Sequence, residues 1–290
     1  MMTNFLQNLI NGLVAGSYYA VLGMGLTIIW GVLKIINVAH GDFYMLGAYL
    51  LYTFLTMVGV PVVPAVILAV LVAVVLAMIL ERAILTPALT RDSMGNSPFV
   101  ITLGMSILLQ NFVQLIYGER YKSVPYFNDA IIKFMGVTLA AQRIIVVIVA
   151  FLAMFAVMLF IRKTRFGWAI SATSQNTFAA TLMGIDTKKI YMYTFGLAAG
   201  MTALSGGLLA PIYGINPWMG ASIQLKSFVV CVIGGFGNIG GSIVAGLLLG
   251  LIESFAVQYI GTDWQNVLAY SLLILMFWFK PNGLFEKKGH

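Results

Sequence analysis

This chain has little of what soluble chemistry needs. Only 9% of its 290 residues are charged, 9 of them acidic, against about 25% charged in an ordinary soluble domain. Cys231 is the single cysteine, which excludes an intramolecular disulfide and any site built on paired cysteines. His40 and His290 are the only histidines. There is no G-x-x-x-x-G-K-[ST], so the chain does not bind ATP through a P-loop, and there is no H-E-x-x-H or G-x-S-x-G. An enzyme and a resident cofactor are therefore not expected. No basic residue precedes Lys34, so the stretch from Met1 lacks the charged start of a cleavable signal peptide and the first apolar segment is expected to stay as a span. No linker-like stretch separates two domains, and residues 1–290 are read as one membrane domain.

What is present is apolar: 61% hydrophobic residues and a mean hydropathy of +0.98. The class is an all-α integral membrane protein. The net charge of +7 comes from basic residues scattered over short loops between apolar runs, the pattern of loops retained on the cytoplasmic side, and no nucleic-acid partner is expected. A spanning helix needs about 20 largely apolar residues. Segments 5–30, 43–58, 62–80, 98–117, 144–161, 190–212, 241–258 and 264–279 qualify or nearly do, with a shorter apolar piece at 223–234. About eight to nine transmembrane helices are expected, with a broken or re-entrant helix near 223–241.

Orientation follows from lysine and arginine. With the 162–189 loop and the C-terminal tail inside, Lys34, Arg82, Arg91, Arg162, Lys163, Arg165, Lys188, Lys189, Lys280, Lys287 and Lys288 are internal, and Arg120, Lys122, Lys133, Arg143 and Lys226 external. That bias supports the assignment. Small residues recur four apart at Gly12 and Gly16, Gly196 and Gly200, and Gly246 and Gly250, the spacing that lets helix backbones approach in lipid. The echo between residues 12–16 and 196–200 hints at two related halves.

Gly235-Phe236-Gly237-Asn238-Ile239-Gly240 spells a dinucleotide fingerprint after the strand-like run Phe228 to Ile233. That fingerprint requires a soluble βαβ unit, and hydrophobic spans flank it here. A broken helix fits better, and unwound backbone at membrane depth must be buried in protein or line a water-filled path. Ionisable groups among spans are functional candidates by default. Asn37-Val38-Ala39-His40-Gly41-Asp42 is the densest polar stretch near a span, and Glu253 lies inside another. The structural alternatives are an Asp42 carboxylate favouring a helix N-terminus, an interfacial His40, and a Glu253 that reaches the outer interface.

Between two spans, Arg162, Lys163 and Arg165 lead into helix formers from Ala169 to Met183, closed by Gly184, as glycine commonly closes a helix. One helix is expected there, offering a small, flat Ala179/Ala180 surface to another protein's cleft. The alternative is an amphipathic helix lying on the membrane.

At Ala179-Ala180-Thr181-Leu182-Met183-Gly184 the chain resembles the E-A-A-x-x-x-G coupling loop of ABC-importer permeases, with Phe178 in place of the glutamate and the later I-x-L-P absent. Residues 11–27, 36–48 and 232–241 are similar to the branched-chain amino acid ABC transporter permeases, of the LivH type. The resemblance implies a multi-pass permease of a bacterial inner membrane. Its implied partners are a second permease subunit in a heterodimer, two cytoplasmic ABC ATPases, an external binding protein and membrane lipid. Ala172, Thr173, Phe178, Ala179, Ala180 and Gly184 would form the coupling loop. Asn37, His40, Asp42, Gly235, Gly237, Asn238 and Gly240 would line the route. The implied substrates are leucine, isoleucine and valine, with urea or short-chain amides as the alternative in the same family. An ion-coupled carrier using Asp42 and Glu253 is the competitor from another class.

Overall fold

The structure is a computed structural model that describes residues 2–91, 97–134, 137–280 and 283–285. Lys287 and Lys288, which entered the orientation argument, and His290 lie outside the described residues. Helices succeed one another as α1 (Met2–Leu33), α2 (His40–Tyr52), α3 (Val62–Leu80), α4 (Thr86–Arg91), α5 (Ser97–Tyr117), α6 (Ala141–Lys163), α7 (Arg165–Gln175) and α8 (Thr177–Leu182). There follow α9 (Thr187–Tyr213), α10 (Met219–Gly234), α11 (Ile239–Tyr259) and α12 (Trp264–Phe279). π-helical turns at Thr53–Met57 and Glu81–Leu85 extend α2 and α3. A short antiparallel hairpin, β1 (Ile131–Phe134) with β2 (Val137–Ala140), precedes α6.

Among the described residues, six helical segments are long and apolar enough to cross a membrane: Phe5–Leu33, Val62–Leu89, Pro98–Tyr117, Ala141–Lys163, Thr187–Tyr213 and Ile239–Tyr259. By length and hydropathy this does not confirm the expected eight to nine, two further apolar helices being shorter. The helices α10 and α12 have 16 residues each, about 24 Å of helix against a hydrocarbon core of about 30 Å. The run Phe228 to Ile233, strand-like in sequence, is helical within α10. In an apolar environment a strand would leave its backbone groups unpaired, whereas a helix pairs them internally.

The chain divides into two compact units. The first holds Met1–Thr27, Tyr126–Met154 and Leu225–His290, the second Ile28–Pro125 and Phe155–Gln224. The two most buried spans are α1, the core of the first unit, and α9, the core of the second. They carry the echoing segments 12–16 and 196–200.

Small residues set both cores. In the first unit the two four-apart glycine pairs of α1 and α11 meet each other. A Cβ at Gly16 would come within 2.7 Å of Leu247 Cα, one at Gly12 within 2.9 Å of Leu251 Cα, and one at Gly250 would strike the Gly16 backbone. In the second unit α9 is the axis on which α2 and α3 pack. The helix α3 is arranged for lipid: Ala65, Ala69, Ala73 and Ala77 are buried while Ile67, Leu71, Val75 and Ile79 are exposed. Lipid tails are as apolar as leucine, so close backbone approach, not hydrophobicity, selects the buried face.

The crossing of α2 with α9 is tighter still, with Gly47 on the Ala203 backbone and Gly206 on Tyr44 O. Gly206→Ala is expected to destabilise the protein by about 1–3 kcal/mol through overpacking. Gly104→Ala, where a Cβ meets open space, is expected to stabilise by about 0.5–1 kcal/mol, the helix cost of glycine. Thermal unfolding in detergent checks the pair; equal effects would mean that α2 and α9 do not cross closely.

Candidate functional site

The polar segment 37–42 follows the end of α1. Lys34 adopts φ 57, the left-handed conformation that stops a helix, and the backbone stays non-helical until His40 opens α2. That backbone is buried, so its groups need partners, and the second unit supplies them. Gln224 on α10 clamps it twice: its Nε2 donates to Asn37 O at 2.9 Å and its Oε1 accepts from Gly41 N at 2.7 Å. Thr102 Oγ1 accepts from Val38 N at 3.2 Å and Asn37 Oδ1 from Ala39 N at 3.1 Å. Gly41 and Gly220 lie so close that a Cβ on Gly220 would sit 2.5 Å from Gly41 O.

The side chains converge on the same place. Asn37, His40 and Asp42 are all buried. Thr202 Oγ1 donates to Ala198 O at 2.9 Å and lies 3.0 Å from His40 Nε2. With its hydrogen spent on Ala198, the threonine serves as acceptor for a proton on Nε2. Asp42 Oδ1 accepts from Gln110 Nε2 at 2.8 Å, and the same amide lies 3.1 Å from Ser106 Oγ. The carboxylate sits in the first turn of α2, where the helix dipole favours it. Asn37 Nδ2 is buried without a partner, a donor that costs free energy until something accepts from it. Sequence reasoning missed Thr102, Ser106, Gln110, Thr202 and Gln224. A signal for three of them was available: Thr102, Ser106 and Gln110 are spaced four apart, a polar stripe on one face of an apolar helix.

The second expected stretch falls in the first unit, so the two stretches do not share a compact unit. Residues 235–238 are a tight turn joining α10 to α11, with Gly235 at φ 89 and Gly237 at φ 80, values that favour glycine. Asn238 caps α11, its Oδ1 accepting from Gly241 N at 3.1 Å, and its Nδ2 donates to Phe285 O. Gly235 is buried, Gly237 and Gly240 are exposed, and Leu284 N donates to Ile233 O at 2.9 Å. These residues serve here as a helix–helix corner closed over by residues 283–285.

Glu253 does not reach outward, and Lys226 is not a loop charge. Both are buried in the first unit, and Lys226 Nζ lies 2.9 Å from Glu253 Oε2. The structural alternative for Glu253 therefore falls, because a helix face, not the chain position, decides what a long side chain meets.

The 162–184 segment forms two helices, where one was expected. Thr164 caps α7 through Gly167 N at 3.0 Å. Asn176 is extended (φ −153, ψ 104) and its Oδ1 accepts from Ala179 N at 2.9 Å, which opens α8. An asparagine that can bond to nearby backbone competes with the helix, and here it wins. Gly184 follows at φ 83. The exposed surface is also not small and flat. Ala180 is buried, as is Thr173, while Phe178, Leu182 and Met183 are 75%, 73% and 84% exposed. Asp186 caps α9, and the Lys189 backbone N–H it accepts from holds its carboxyl below the ordinary range.

Comparison with known proteins finds relatives along nearly the whole chain. The family model described as branched-chain amino acid transport system / permease component matches residues 8–277. The chain is 35% identical to the high-affinity branched-chain amino acid transport system permease protein BraD of Pseudomonas aeruginosa, over 97% of this chain and 95% of that one. It is 34% identical to the permease protein LivH of Escherichia coli K12 over the same shares. Among solved structures it is similar to PsaBC from Streptococcus pneumoniae in complex with Fab, at TM-score 0.55 and 14% identity, covering 96% of this chain and 92% of that one. That likeness concerns the fold.

Proposed function

We propose, from the premise that this chain belongs to the family of branched-chain amino acid transport permease components, that it is one permease subunit of an ATP-driven importer. All 290 residues act as a single permease in a bacterial inner membrane. It receives leucine, isoleucine or valine from an external binding protein. Two separate cytoplasmic subunits bind and hydrolyse ATP, for which this chain has no P-loop. A second permease chain of different sequence completes the pair.

The observation that carries this reading is the α7–α8 segment. Two short capped helices set between the spans α6 and α9 hold Phe178, Leu182 and Met183 outward. Clustered exposed apolar side chains of this size mark a surface that something covers, and an ATPase cleft is the occupant we assign. Thr173 and Ala180 pack beneath the segment, while Ala172, Ala179 and Gly184 complete its outer surface. The route lies at Asn37, His40 and Asp42, where the polar groups meet and the Asn37 amide has a free donor. Gly235, Gly237, Asn238 and Gly240 contribute the corner that holds α10 against α11.

Uptake of labelled leucine into proteoliposomes tests the reading. Transport is expected only when ATP, both ATPases, the second permease and the binding protein are all present, with competition by valine and isoleucine and none by urea. Leucine uptake by this chain alone on an ion gradient would sink it. In the complete system Asn37→Leu is expected to lower uptake about 10- to 100-fold, the worth of one hydrogen bond to a charged group. Unchanged uptake would remove the Asn37 amide from the route.

A further inference from the structure

An apolar groove of about 580 Å³ opens in the second unit along α9 and α3, lined in part by the corner between α6 and α7. Its lining follows α9 from Ile190 to Leu204 and α3 from Met78 to Val70. The stretch 190–204 rises about 21 Å along the helix axis, somewhat more than half of a hydrocarbon core about 30 Å thick. The groove is therefore a slot along the helices, long enough to span the roughly 15 Å of hydrocarbon in one leaflet. Apart from the Tyr193 hydroxyl, its side chains are apolar.

Charge gathers at the end near Ile190. There Phe166 packs on Tyr193 with ring centres 5.3 Å apart, Phe160 belongs to the same lining, and between the two phenylalanines in the chain lie Arg162, Lys163 and Arg165, all exposed. None of these three forms an ion pair among the described residues. On the α3 side, Arg82 borders a smaller apolar groove that shares Met78. Trp168, 61% exposed, donates its indole N–H to Arg162 O at 2.9 Å, an aromatic of the kind that sits at headgroup level.

The geometry points to a binding site for one anionic phospholipid, an acyl chain in the groove and its phosphate on Arg162, Lys163 and Arg165. A slot long enough to span one leaflet, apolar along its length and basic at one mouth, matches that molecule in length, polarity and charge. The neighbouring α3 residues Leu71, Val75 and Ile79 are exposed apolar side chains, so the groove opens on a surface that lipid already wets. Phe166 and Ile170 of its wall belong to α7, so a bound lipid props the segment assigned above to the ATPase. That consequence rests on the proposed function; the site itself does not.

The test is lipid retention by the full chain, purified without ATPases so that its outcome is separate from that of the uptake assay. The protein is equilibrated in detergent with equal dioleoylphosphatidylglycerol and dioleoylphosphatidylcholine and weighed intact by native mass spectrometry. One phosphatidylglycerol per chain is expected to be retained in preference to phosphatidylcholine. Each basic residue near an anionic surface contributes about fivefold, so replacing Arg162, Lys163 and Arg165 with glutamine is expected to lower the preference roughly 100-fold. Leu197→Trp, which puts an indole across the slot midway along its length, is expected to abolish retention with unfolding temperature unchanged, and Leu204→Trp serves if that variant misfolds. Equal retention of both lipids overturns the site. So does loss in the glutamine variant with none in the tryptophan variant, which would mean a headgroup on the surface and no chain in the groove. A Leu197→Cys protein that cross-links to a second permease would give the groove to that subunit.

Discussion

Glu253→Ala is expected to be among the most damaging substitutions in the chain, costing about 3–5 kcal/mol and most of the folded protein. Glu253 Oε2 accepts three hydrogen bonds: from Tyr19 Oη at 2.6 Å, Lys226 Nζ at 2.9 Å and Gln265 Nε2 at 2.7 Å. Lys226 also donates to Tyr19 Oη at 2.7 Å, and its ammonium lies 5.1 Å from the centre of that ring. The lysine and glutamate side chains are 7% and 1% exposed. Removing the carboxylate leaves an ammonium in apolar surroundings with no counter-charge, and that orphaned charge is the source of the loss. Removing both charges is another matter. Lys226→Met combined with Glu253→Leu is expected to unfold near the wild-type temperature, because a buried pair replaced by packed apolar groups is often neutral or better. Thermal unfolding of the three proteins decides it. A single variant as stable as wild type would show that the charges are not paired in the folded protein. A double variant that folds but does not transport would assign the pair a part in the transport cycle.

Phe178→Ala is expected to weaken association of the permease with its ATPase subunits by about 30-fold or more, the size of a buried aromatic anchor, and to lower ATP-driven leucine uptake with it. The ring is 75% exposed in the isolated chain, so its loss should leave the permease's own unfolding unchanged. Ala180, two residues on in sequence, behaves in the opposite manner. It is 4% exposed, so Ala180→Asp is expected to damage the permease itself. Affinity measured between purified permease and ATPase separates the two. If Phe178→Ala with Met183→Ala left affinity within twofold, α8 would not be the dock.

The sequence reading of α1 and α11 held because their glycine pairs announce close packing at helical spacing. What the spacing lacked was the partner: Gly12 and Gly16 meet Gly246 and Gly250 through contacts more than 200 positions apart in the chain. Asn176 is a residue type that competes with helices, but it lies among good helix formers, and only in the folded chain does its side chain cap α8. The stripe at Thr102, Ser106 and Gln110 could have been found by counting every fourth residue of α5. Gln224 could not, because nothing local marks an amide in an apolar run as the clamp for a backbone that lies far away in sequence.

Membrane residence, the order of the main spans, the lack of a P-loop motif and the basic segment between α6 and α9 were determined by the sequence itself, because each depends on composition over a window or on local spacing. The tertiary structure alone decided which polar groups were internal and what they met. A buried charge or amide is tolerable only beside its complement, and for Lys226 with Glu253, or Gln224 with Asn37, that complement is brought in by another helix. No local pattern encodes that meeting.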